Sequence, residues 1–97
     1  MGYQVIESKK FKKKIDKLEK KYKRIFEVKN NISFKLWKAP KSELVGELVE
    51  DNYYLHRTDE PMNNDIVQID ILYQVNDIKE EVIIIDLKPV ERVNNEE

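Results

Sequence analysis

His56 and Arg57 adjoin in a chain that has no other histidine and no cysteine. Imidazole titrates nearest to neutral pH, so His56 is the natural proton carrier of this sequence. Lysine and arginine can offset charge on phosphoryl oxygens. After residue 42 only four such cations remain, and three of them, Arg57, Lys88 and Arg92, fall near the ends of expected strands. Before that point the cations crowd together. Residues 9–24 hold Lys9, Lys10, Lys12, Lys13, Lys14, Lys17, Lys20, Lys21, Lys23 and Arg24. Such a cluster binds phosphate backbones without sequence specificity and with steep salt dependence. The bland alternative is a solvated helix face. Tyr53, Tyr54 and Tyr73 offer rings on which bases could stack, although tyrosines in strands more often pack along the sheet. Without cysteine there is no disulfide, thiolate metal site or cysteine nucleophile. Asp70 and Asp86 lack a third carboxylate or a histidine that would make them a metal pair, so no metal is expected.

The net charge of −1 conceals an uneven distribution. Residues 1–42 carry 14 Lys+Arg against 4 Asp+Glu, a balance of +10. Residues 43–97 carry 4 against 15, a balance of −11. A polarity of this size points to a polyanion-binding side. It is equally what a basic helix layer and an acidic sheet would show if they paired with each other. The 97 residues suit a single domain over 1–97 that can bury one core without staples. No apolar run reaches the roughly 20 residues of a membrane span, and the N-terminus lacks a signal-peptide layout. A cytoplasmic protein without a membrane partner is expected.

The elements that must hold these groups follow from periodicity. Tyr3–Ile6 is β-prone and reads as an edge strand. Ser8 can cap a helix, but Phe11 stands where a capping box needs Glu or Gln. Phe11, Ile15, Leu18 and Tyr22 form one helical stripe. Ile25, Val28, Ile32 and Leu36 form a second, with Trp37 expected to anchor it in the core. A single long helix would leave half its stripe uncovered, so the reading is a helical hairpin broken near Lys20–Lys23. Ala39-Pro40 ends the second helix. Lys41–Asp51 reads as a connector, with Leu44, Val45, Leu48 and Val49 tucking into the core. Asn52–Arg57 reads as a strand and Thr58–Asp65 as a loop. Ile66–Val75 and Lys79–Leu87 form a hairpin about Asn76-Asp77-Ile78. Residues 93–97 read as a frayed tail.

The fold class is therefore α+β: an N-terminal helical hairpin packed on a small, mostly antiparallel sheet of three to four strands. With that order in place, four segments carry a family resemblance: F-K-K-K-I-D-K-L at 11–18, Y-Y-L-H-R at 53–57, I-D-I-L-Y-Q-V at 69–75 and I-I-I-D-L-K-P-V at 83–90. Together they resemble the RelE/ParE superfamily of toxins from type II toxin–antitoxin systems, over roughly residues 3 to 92.

The resemblance implies a toxin held inactive by a cognate antitoxin protein. RelE-like members cut messenger RNA on the ribosome, without metal or other cofactor. A base takes the ribose 2′-hydroxyl proton, cations offset the phosphoryl charge and an acid protonates the leaving oxygen. Carried onto this chain, the catalytic candidates are Arg57, Lys88 and Arg92 as phosphate-facing cations and His56 as proton carrier. The RNA-binding candidates are Lys9, Lys10, Lys13, Lys17, Lys20 and Tyr73, with ribosome and messenger RNA as further partners. The alternatives are a ParE-like inhibitor of DNA gyrase and an impaired toxin homologue that mainly binds its antitoxin. Many nucleolytic members carry arginine just before the I-L-Y triplet. Here Asp70 stands at or beside that place, and an acid there repels phosphate.

Overall fold

Helix α1 (Lys9–Glu19) starts where the sequence supplies a cap. The Ser8 hydroxyl accepts from the Phe11 N–H at 3.1 Å and donates to the Ile85 carbonyl at 2.9 Å. One side chain thus closes the helix start and ties it to the last strand. Phe11 and Ile15 are buried on its inner side, and the lysines face out. The chain breaks over residues 20–24, as the two stripes require, and α2 (Ile25–Lys38) buries Ile25, Val28, Ile32 and Leu36. The computed structural model describes residues 2–91.

The sheet has five strands: β1 (Gln4–Glu7), β2 (Glu47–Glu50), β3 (Tyr53–Met62), β4 (Asp65–Asn76) and β5 (Glu81–Glu91). Their spatial order is β1-β5-β4-β3-β2. Strand β1 pairs in parallel with β5, while the other neighbours are antiparallel. The sheet is therefore mixed, and larger than the three to four strands expected. The helices pack on the sheet as well as on each other. Helix α1 lies against β5 and α2 against β1, so the expected helical hairpin differs in detail: each helix also has its own strand to pack on.

Period-two burial sets the two faces. In β4 the residues Val67, Ile69, Ile71, Tyr73 and Val75 are buried toward the helices, and the intervening residues face away. In β5 the inward residues are Val82, Ile84 and Leu87. That break in alternation is a bulge: Leu72 pairs with Asp86 but Tyr73 with Ile84, leaving Ile85 as the extra residue.

Three expectations need correction. Thr58–Asp65 is a hairpin, not a loop. Strand β3 runs on to Met62, and Asn63 and Asn64 make the turn with φ of 50° and 72°. A two-residue turn with both central residues left-handed matches the sheet twist, and asparagine tolerates that region. Thr58, Glu60 and Met62 oppose Ile69, Val67 and Asp65 in unbroken register. Trp37 is not a core anchor; it is half exposed and stacks on exposed Phe34, with centroids 5.8 Å apart. In the connector only Val45 packs against the core, whereas Leu44, Leu48 and Val49 are exposed.

Candidate nucleic-acid interface on the outer sheet face

The face of the sheet turned away from the helices presents side chains in rows that run across the strands. One row is Arg57 on β3, Asp70 on β4 and Lys88 on β5. The next is Leu55, Leu72 and Asp86. Directly opposed side chains lie close enough to touch, and the central row is ionic throughout. Arg57 Nε donates to Asp70 Oδ1 at 2.9 Å and its Nη2 to Oδ2 at 3.1 Å. This is a two-pronged pair, the strong geometry for guanidinium on carboxylate. Gln68 Nε2 adds a third bond to Oδ1 at 3.2 Å. The hydrogen bonds from Arg57 chiefly hold the Asp70 carboxyl below its ordinary range, with Lys88 adding to the effect. Arg57 itself remains more than half exposed, so solvent screens the pair and it adds little to stability.

Asp86 is the second carboxylate on this face. Lys14 Nζ approaches its Oδ1 at 3.0 Å and Lys10 Nζ its Oδ2 at 3.3 Å, and the Leu87 N–H donates to Oδ1 at 2.8 Å. Burial raises this carboxyl's pKa, but the bonds from Lys14, the Leu87 backbone and Lys10 outweigh it, leaving the group below the usual range. Lys10 and Lys14 thereby bring the rim of α1 around to the outer face. Leu55, Asp70, Leu72, Asp86 and Lys88 line a shallow hollow of about 220 Å³ between the two carboxylates.

The basic and acidic halves do pair in part. Lys29 meets Glu7 at 3.2 Å, Arg24 meets Glu60 at 3.8 Å and Lys41 meets Asp77 at 2.9 Å. The outward side of α1 is not consumed in this way. Among the described residues Lys9, Lys12, Lys13, Lys17 and Lys20 form no ion pair. Of the RNA-binding candidates, Lys9, Lys10, Lys13, Lys17 and Lys20 are thus together on one exposed helix face, with Lys10 engaged by Asp86.

Two candidates lie on the wrong side for this interface. His56 opposes Ile71 and points toward the helices, at 4 % exposure, while Arg57 opposes Asp70 and points out. The sheet separates them. His56 Nδ1 bonds the Val45 carbonyl, which can only accept, so Nδ1 carries the proton. Nε2 is then a bare acceptor, buried without a partner among the described residues. Burial lowers the imidazole pKa, the Val45 bond opposes that shift, Lys35 adds to it and Glu60 opposes it. Tyr73 is fully buried, stacks on Tyr54 at 5.5 Å, and donates its hydroxyl to the Pro40 carbonyl at 2.7 Å. Burial pushes its phenol pKa far up. Its ring is not open to a base. Arg92 lies outside the described residues.

Sequence reasoning did not place Asp86 or Gln68 in the site; it did foresee pairing between the basic helix layer and the acidic sheet, which Lys10 and Lys14 on Asp86 realise. The strand alternation carried a signal for Gln68, whereas Asp86 needed the bulge at Ile85 to be known. The described residues contain no group of three His, Cys, Asp or Glu able to hold a metal ion, and no helix long and apolar enough to cross a membrane.

No protein-family model matches the sequence, and no curated protein matches it. Solved structures do match. A chain of the toxin–antitoxin complex RelBE2 from Mycobacterium tuberculosis superimposes with a TM-score of 0.70 at 19 % identity, covering 95 % of this chain and 100 % of that one. A chain of the archaeal RelE–RelB complex from Pyrococcus horikoshii gives 0.52 at 22 % identity, covering 96 % and 100 %. The protein therefore has the RelE-type fold found in chains of these toxin–antitoxin complexes.

Proposed function

We propose that this protein is the toxin of a type II toxin–antitoxin pair and acts on messenger RNA at the ribosome as a metal-independent endoribonuclease. The observation that carries the reading is the match over 95 % of the chain to a chain of a toxin–antitoxin complex. The unpaired lysine face of α1 supports the choice of an RNA target, since exposed clustered ammonium groups bind phosphate backbones. In this reading Lys9, Lys13, Lys17 and Lys20 hold ribosomal or messenger RNA. Arg57 and Lys88, with Arg92 beyond the described residues, face the scissile phosphate and offset its charge. His56 has no direct part, because it is buried on the opposite side of the sheet. The cognate antitoxin keeps the protein inactive in the cytoplasm.

A second reading has its own observation. The two-pronged Arg57–Asp70 pair occupies an exposed cation of the sheet face, as expected of an impaired homologue whose main task is to bind its antitoxin. Controlled expression separates the readings. Growth arrest with cleaved transcripts, relieved by co-expression of the adjacent reading frame and lost in Arg57→Ala, is the expected result. Arrest with filamentation and intact transcripts would indicate the gyrase-inhibitor alternative. Absence of arrest would favour the impaired homologue.

A further inference from the structure

The central outer-face row sets two cations on either side of one carboxylate. Arg57 and Lys88 flank Asp70 on neighbouring strands, so the two cations stand about 10 Å apart, two strand spacings. A phosphodiester bridging them would rest over Asp70. The guanidinium that could meet it is already turned onto that carboxylate by two hydrogen bonds. Gln68 Nε2 donates to the same carboxylate oxygen, Oδ1, that accepts from Arg57 Nε. The pair is exposed at its arginine end, so Arg57 can swing away without rearranging the core, while the largely buried Asp70 carboxylate keeps its bond from Gln68.

We propose that Asp70 acts as an internal competitor for phosphate: it holds Arg57 closed, and RNA engages the sheet face only by displacing the carboxylate from Arg57. The inference rests on the RNA-binding reading above and adds the residue that limits it. Two consequences follow from charge alone. Removing the Asp70 charge deletes a repulsion at about 4 Å from the bound phosphate, a factor of about fivefold in water. It also releases Arg57 to bind a phosphate of its own. One additional phosphate neutralised on a single strand steepens the dependence of log affinity on log salt by about 0.7.

The test uses fluorescence anisotropy of a short labelled oligouridylate with the full chain, across a salt series. Asp70→Asn keeps the shape of the side chain and should bind about fivefold more tightly at low salt, with the steeper slope. Arg57→Gln should weaken binding little in the parent and more in the Asp70→Asn background, because only there is Arg57 free. Glu50→Gln on exposed β2 removes an equal charge far from the row and should change neither affinity nor slope appreciably. Circular dichroism confirms that each variant is folded. An unchanged affinity in Asp70→Asn, or an equal gain in Glu50→Gln, would overturn the competitor role. If such a result came while Lys13→Gln and Lys17→Gln still lowered affinity, the RNA-binding reading would survive. No binding by the parent or any variant would overturn both.

Discussion

Acidification should destabilise this protein through His56. The imidazole is 4 % exposed and has a single bond, from Nδ1 to Val45, while Nε2 meets no partner among the described residues. A second proton on Nε2 would place an unsolvated charge in the core. Burial therefore lowers the folded-state pKa; Lys35 reinforces this, and the Val45 bond and Glu60 only partly offset it. The unfolded chain titrates near the ordinary value of about 6.5. Below that pH the unfolded state binds more protons than the folded state, so stability is full above about 6.5 and falls as the pH drops toward the folded-state pKa. The slope is at most about 1.4 kcal/mol per pH unit, so acidification to about pH 5 costs up to about 2 kcal/mol. Asp70 and Asp86 remain charged across this window, since both carboxyls are held below their ordinary range. Urea unfolding of the parent and of His56→Gln between about pH 7.5 and 5 isolates the effect, because glutamine cannot titrate but can still donate to Val45. The parent should lose stability on acidification and the variant should not. Equal slopes would refute the assignment of His56 as a buried neutral group. The same variant should still arrest growth if the toxin reading holds; a folded His56→Gln protein without arrest would return the imidazole to the site.

Residues 39–46 carry two further predictions, because Tyr73 fastens this segment. Tyr73→Phe removes the donor to the Pro40 carbonyl and should cost about 1–3 kcal/mol, read as a lower urea midpoint with unchanged m-value. Gly46→Ala would drive a methyl group into the Tyr73 hydroxyl, which is fully buried and cannot retreat, so a loss of about 1–3 kcal/mol is expected. In the double variant the combined loss should be smaller than the sum of the two, since removing the hydroxyl makes room for the methyl group; strict additivity would count against the close approach. The lysine face gives a prediction by salt: Lys13→Gln with Lys17→Gln should weaken oligouridylate binding and flatten its log–log salt slope by roughly 1.4, about 0.7 for each ammonium group removed from the phosphate backbone.

Much of the architecture is written in burial periods. The two helical stripes, the break at residues 20–24 and the 66–87 hairpin are all visible in the sequence because helix and strand expose apolar side chains at different intervals. The second half of strand β3, residues 58–62, was concealed by its composition. Pro61, Asn63, Asn64 and three acids resemble a loop, although the tight turn needs only the two asparagines. The faces of His56 and Arg57 were partly legible. Alternation requires them to point opposite ways, but which one is buried depends on register with β4, where the buried phase 67-69-71-73-75 sets His56 against Ile71 and Arg57 against Asp70. That phase also places Tyr73 inside. Lys88 was not legible from alternation at all. Continuing the even-numbered phase of Val82 and Ile84 would bury both Asp86 and Lys88. The extra residue Ile85 reverses the phase, sends Leu87 inward and delivers Asp86 and Lys88 to the outer face. One inserted residue thus decides whether Asp70 stands beside a second cation or beside an apolar side chain. The hairpin pattern of the sequence is compatible with either.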